Sequence, residues 1–139
     1  MNALHLKIVP VVNRFRANRE RLRRGFVKDG NVSLYFKKNT WLVEQTISSL
    51  AHECALDLGR LALVAMGGFA REEMFPYSDI DFLVLCDAAE AADSPQLTRF
   101  LSRLWDLGLT VGANVRTRDE MLEIAQTDVT ITTTFFESK

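Results

Sequence analysis

The spacing of apolar residues changes several times along the chain, and each change predicts an element. Val11, Val12, Phe15, Leu22 and Phe26 recur at helical intervals, so a helix is expected to about residue 26, with Pro10 in its first turn. Asp29-Gly30-Asn31 reads as a turn. Val43, Ile47, Leu50, Ala51 and Cys54 restore the helical period and predict a second helix near residues 40–57. The helical period then gives way to short continuous apolar runs at 61–66 and 80–86, which are expected as buried strands. Residues 87–94 are small and read as a loop. Ser94-Pro95 supplies an N-cap and a first helical residue, and Leu97, Phe100, Leu101, Leu104 and Trp105 form one face of the helix that follows, placing Trp105 in the core. Gly108 ends that helix, 109–116 reads as a third strand, and 119–126 as a short helix. Residues 128–137 alternate β-branched and polar side chains, which favours a strand locally.

These elements predict an α/β (α+β) fold. A small mixed sheet on 61–66, 80–86 and 109–116 is flanked by helices, with 1–57 as an N-terminal helical segment and 58–139 as the core domain. Charge adds one asymmetry. The net charge of −1 excludes nucleic-acid binding driven by bulk charge, yet residues 1–30 carry eight Lys/Arg against two acids. Arg14, Arg16, Arg19, Arg21, Arg23 and Arg24 crowd the first helix, either as a docking surface for an acidic partner or RNA, or as a solvated face packed against an acidic domain. Cys54 and Cys86 lack metal-type spacing and sit in apolar runs, as reduced core cysteines do. There is no apolar stretch of membrane-spanning length and no signal-peptide pattern, so the expectation is a cytoplasmic protein with no membrane partner.

The candidate chemistry lies between the first two strands. Gly67-Gly68 interrupts the first apolar run, and Asp79-Ile80-Asp81 opens the second. Glycines let backbone N–H groups approach phosphate oxygens, and paired carboxylates suit divalent cations. On a strand Asp79 and Asp81 share one face, roughly 6.5 Å apart, while Ile80, Phe82 and Val84 face a core. At an effective dielectric of about 20 such a pair repels by about 2.5 kcal/mol, a cost that a dication between the carboxylates reverses. The bland alternative is two solvated aspartates after a Pro-Tyr-Ser turn. The double glycine upstream and the flanking apolar strands favour a metal site.

This segment resembles the nucleotidyltransferase superfamily signature, two small residues, a spacer, then Asp-x-Asp on a strand. More closely it is similar to the N-terminal domain of bacterial PII-protein uridylyltransferase/uridylyl-removing enzymes. Gly67, Gly68, Phe69, Arg71, Glu73, Pro76, Tyr77, Ser78, Asp79, Ile80 and Asp81 fall in register with that family's glycine loop and Pro-(Tyr or His)-Ser-Asp-Ile-Asp motif. Leu104-Trp105-Asp106, Val111-Gly112 and Val115-Arg116-Thr117 match further motifs, and Asp128, Thr133 and Glu137 fit its Asp-x4-Thr-x3-Glu helix. Two loop glycines of the family are Ala70 and Glu72 here, and position 113, often His, is Ala113.

The resemblance implies transfer of UMP from UTP to a tyrosine of the PII nitrogen-signalling protein, dependent on Mg²⁺ held by Asp79 and Asp81. Gly67 and Gly68 would present amides to the β- and γ-phosphates. Ser78 and Arg71 are candidate phosphate contacts, with Arg71 alternatively pairing with Glu72, Glu73 or the acidic pair, and Arg116 is a further triphosphate contact. The strand 109–116 holds no carboxylate, so Asp128 or Glu137, a missing segment, or water completes the metal shell; Asp106 lies at the wrong helix end. His5 and His52 fall outside the motifs. The resemblance also implies a helix over 128–137, a core truncated at its C-terminus, weak or absent activity in isolation, and self-association through an uncovered face. Alternatives are an adenylyltransferase of glutamine synthetase, a stand-alone nucleotidyltransferase, or a degenerate docking domain.

Overall fold

The structure, a computed structural model, describes the backbone of residues 3–127 and the side chains of residues 11–127. Two long helices come first, α1 (Ala3–Asp29) and α2 (Val32–Glu53), followed by β1 (Leu61–Ala65) and the one-turn helix α3 (Gly67–Ala70). The rest of the chain builds β2 (Ile80–Cys86), α4 (Ala89–Ala92), α5 (Pro95–Asp106), β3 (Val111–Thr117) and α6 (Arg118–Thr127). The three strands form one mixed sheet in the order β1-β2-β3, with β1 antiparallel and β3 parallel to the central β2. A parallel pair needs a crossover, and α4 and α5 supply it. Expectations for residues 128–137, including Asp128 and Glu137, lie outside the described residues.

Two helix boundaries differ from expectation. Helix α1 runs from Ala3, so Pro10 sits in its interior rather than its first turn; the Ala-Leu-His-Leu stretch ahead of it has enough helix propensity to extend the helix backward. Helix α2 begins at Val32, well before residue 40. Its signal is local: the Asn31 side chain accepts from the Leu34 N–H at 3.0 Å as an N-cap. Tyr35, Asn39 and Thr40 then continue the buried face of α2, although two of the three are polar. The loop expected at 87–94 contains the short α4.

Helix α5 starts as expected, with Ser94 Oγ accepting from the Leu97 N–H at 3.2 Å and Pro95 at the first position. Trp105 corrects the sequence reading. Leu97, Phe100 and Leu104 are buried, whereas Trp105 is 69% exposed. The apolar face is narrower than five residues, and Trp105 stands one residue, about 100°, beyond Leu104. Its indole meets solvent.

One continuous buried cluster joins Val11, Phe15, Val43, Ile47 and Leu50 of the first two helices to Ile80, Phe82 and Val84 of β2 and to Phe100 and Leu104 of α5. Phe82 and Phe100 meet edge to face with centroids 6.4 Å apart. Cys54 and Cys86 are both buried and unbridged. The arginines of α1 face inward contacts as well as solvent. Arg16 donates to the Asp106 carbonyl at 2.7 Å and Arg19 to the Pro76 carbonyl, while Glu20 holds Arg23 and Arg24. That favours packing over docking as the work of this basic face. Among the described residues no helix is long and apolar enough to cross a membrane.

Candidate active site

Strand β1 ends at Ala65, and the N–H of the next residue, Met66, donates to the Asp81 carbonyl at 2.9 Å, so the glycine turn begins directly beside the acidic strand. Gly67 has φ +55°, a left-handed conformation that suits glycine, and opens α3. In a helix of one turn, the amides of Gly67, Gly68 and Phe69 have no intrahelical acceptor. Phe69 is buried and anchors the turn.

The polar loop that follows is fastened at several points. Arg71 Nε donates to Glu73 Oε2 at 3.1 Å, which is the carboxylate-paired alternative for Arg71. The Glu73 N–H donates to the Gly68 carbonyl at 2.9 Å. Glu72 adopts φ +58° at a position where the resembling family has glycine. Ser78 Oγ accepts from the Phe75 N–H at 2.8 Å, closing the turn that delivers the chain to Asp79. The Ser78 hydroxyl therefore acts locally as a turn clasp.

Asp79 immediately precedes β2, and Asp81 is its second residue. Ile80, Phe82 and Val84 are buried on the opposite face, as the alternation predicts. Burial pushes the Asp81 carboxyl pKa up, and the charge of Asp79 adds to the shift, so the two carboxylates sense each other. Asp81 pairs in register with Gly112 of β3. A Cβ on Gly112 would lie 2.5 Å from Asp81 Oδ1, and one on Gly67 would lie 3.6 Å from Oδ2. The carboxylate lies in a trough between two glycines.

This trough opens into a cavity of about 380 Å³ whose lining includes Gly67, Asp81, Leu83, Asn114, Arg116 and Met121. Leu85 pairs with Arg116, so Asp81, Leu83, Gly112, Asn114 and Arg116 share one face of the sheet. Helix α6 covers that face and is held by a capping box, with the Thr117 N–H donating to Glu120 Oε2 at 2.8 Å and the Glu120 N–H to Thr117 Oγ1 at 3.2 Å. A second cavity of about 410 Å³ lies between α2 and β1, lined mostly by apolar residues with Glu44 its one carboxylate.

The structure thus brings Gly67, Asp81 and Arg116 to one cavity, with Gly68 in the adjoining turn and Asp79 at its electrostatic edge. Arg71 and Ser78 are engaged in the loop. Asp106 is turned away, its carboxylate bound to Arg103 at 3.1 Å. His52 is exposed on α2. Asp81 is a hard oxygen donor between two glycines, and Asp79, exposed just ahead of β2 and outside the cavity lining, is a second; carboxylates are the donor type that Mg²⁺ takes. Among the described residues no third His, Cys, Asp or Glu joins them in a metal-binding group. Sequence reading missed Gly112, Asn114 and Met121, which become site residues only through strand register and the placement of α6. The Thr117-x-x-Glu120 cap was the available signal for that placement.

A family model described as nucleotidyltransferase domain matches residues 47–136, well over half of the chain. The chain is 39% identical over 126 residues to a bifunctional uridylyltransferase/uridylyl-removing enzyme of Burkholderia thailandensis, covering 90% of this chain and 15% of that protein. It is 36% identical over 122 residues to the Chromobacterium violaceum enzyme of that name, covering 87% of this chain and 14% of the relative. With the Pseudomonas entomophila enzyme it shares 38% identity over 143 residues, covering 98% and 16% respectively. The chain therefore spans about 15% of the length of these relatives. With its mixed three-stranded sheet, glycine turn and acidic strand, the chain belongs to the nucleotidyltransferase domain family.

Proposed function

We propose that this domain transfers UMP from UTP to a tyrosine hydroxyl of a PII signalling protein, with Mg²⁺ held by Asp79 and Asp81. The observation that carries the reading is the Asp81 carboxylate seated between Gly67 and Gly112 at the mouth of a nucleotide-sized cavity. The names of the relatives support uridylyl transfer as the reaction class.

On this reading the residues divide the work by position. Asp79 and Asp81 hold the divalent ions, which when bound polarise the α-phosphate and neutralise the leaving pyrophosphate. The first-turn amides of Gly67 and Gly68 bind phosphate oxygens. Arg116, further along β3 in the same cavity, attracts the nucleotide electrostatically, and Leu83 and Met121 form an apolar wall that limits water. Ser78 and Arg71 contribute by fixing the loop between the glycines and the acidic strand.

The competing reading is a docking domain that keeps the fold without catalysis, favoured by the two-carboxylate donor set among the described residues. Incubation with Mg²⁺, each labelled nucleoside triphosphate in turn, and PII protein separates the two. The proposal expects label on a PII tyrosine from UTP above the other three nucleotides. A chain that binds PII yet neither binds nor transfers any nucleotide would establish the docking reading.

A further inference from the structure

We infer that Gly112 is a positioning residue: the lack of a side chain on β3 at this point leaves the room in which the Asp81 carboxylate lies across the strand, at the mouth of the cavity. The inference rests on the metal-binding reading of Asp81 given above, but its geometric part stands independently.

Same-face residues on neighbouring strands ordinarily stand roughly perpendicular to the sheet, side by side. Asp81 instead lies over its registered partner. A Cβ at position 112 would approach Oδ1 to 2.5 Å and Cγ to 3.7 Å, so alanine would make this carboxylate, the free end of an exposed and flexible side chain, swing away from its position over β3. The other oxygen faces Gly67, where an added Cβ would sit at an ordinary 3.6 Å. Both oxygens are therefore bordered by glycine, and only one of those borders is a steric limit.

The backbone itself does not require glycine at this position. Positive φ angles occur at Gly30, Gly67 and Gly108, and Gly112 is not among them. Glycine inside a strand ordinarily weakens it and marks a close approach by another group. Here the approaching group is the side chain of a candidate metal ligand. A further consequence concerns the donor set. A carboxylate placed at 112, the β3 position nearest Asp81, would displace Asp81 rather than add to it. Strand β3 cannot complete the metal shell from that position.

The test uses the full chain, Mn²⁺ alone as the probe, and the variants Gly112→Ala, Asp81→Ala and the double variant. The expectation is that Gly112→Ala keeps its far-ultraviolet circular dichroism and binds Mn²⁺ at least about tenfold more weakly, as loss of a supporting interaction around a metal ligand does. Because the carboxylate can swing away, any fall in Tm should be small in the parent, and it should be absent in the Asp81→Ala background, where the colliding carboxylate is gone. If Gly112→Ala does not fold, the double variant should recover folding. Parental Mn²⁺ affinity in Gly112→Ala, an equal fall in Tm in both backgrounds, or a double variant that stays unfolded would each overturn the inference. A parent chain that binds no Mn²⁺ would defeat the metal reading, while the Tm comparison would still decide whether Gly112 positions Asp81.

Discussion

Asn39, buried in α2, donates from Nδ2 to the carbonyl of Met74 at 3.1 Å, tying the loop that leads to Asp79 to a helix 35 residues earlier in the chain. Met74 is itself buried, so its carbonyl has no ready replacement partner in water. Together with Arg19 on the Pro76 carbonyl and Ser78 Oγ under the Phe75 N–H, this bond fixes the approach to the acidic strand.

Replacing Asn39 with leucine should therefore destabilise the fold by about 1 kcal/mol, the cost of leaving a buried acceptor without its donor being partly offset by removal of the buried, unpartnered Asn39 Oδ1. Urea unfolding checks this. A midpoint equal to that of the parent would show that the bond does not hold the loop.

Glu72 presents the opposite case, a local cost carried in the loop. Its φ of +58° is one that residues with a Cβ rarely adopt. Glu72→Gly should raise stability by about 0.5–1 kcal/mol, the relief of left-handed strain exceeding the added freedom of the unfolded chain. A lower unfolding midpoint in the variant would contradict this.

The raised pKa of Asp81 makes a pH-dependent prediction. For a carboxyl whose pKa rises on folding, the contribution to stability is full below the ordinary carboxylate pKa of about 4. It is lost as pH rises through the higher folded value. Asp81→Asn fixes the neutral form, so in chelator it should stabilise the protein at neutral pH and make no difference near pH 3, below the ordinary carboxylate pKa. Because the side chain is accessible, the gain should stay below about 1 kcal/mol. Thermal melts at the two pH values decide it; an equal gain at both would sever it from ionisation.

Trp105 and Trp41 are 69% and 62% exposed. Their fluorescence in the native protein should already be red-shifted, readily quenched by acrylamide, and little changed on unfolding. A blue-shifted, protected emission would return Trp105 to the core, where its sequence position on α5 suggested it belongs.

That error shows where sequence legibility ended. Period and caps located the strands and the start of α5, because Ser94-Pro95 and the apolar runs act locally. The width of the α5 face depends on what packs against it, so Leu104 and Trp105 looked alike. The same division holds at the site. Gly67-Gly68 and Asp79-Ile80-Asp81 are contiguous motifs and stand out locally, but only Asp81 of the acidic pair lies on β2 and lines the cavity, with Asp79 just ahead of the strand. Gly112 acquires its meaning only from parallel register with Asp81, which no local pattern reports. The start of α2 was missed because Asn39 and Thr40, polar yet buried, interrupt its apolar period.

The central claim is that Asp79 and Asp81 form a metal-dependent nucleotide site rather than a structural pair. Calorimetric titration of UTP into the parent chain and into Asp79→Asn/Asp81→Asn, each with Mg²⁺ and with chelator, tests it directly. The account predicts binding by the parent only with Mg²⁺, and none by the double variant, which stays folded with unchanged circular dichroism. Equal Mg²⁺-dependent UTP affinity in parent and variant would contradict it.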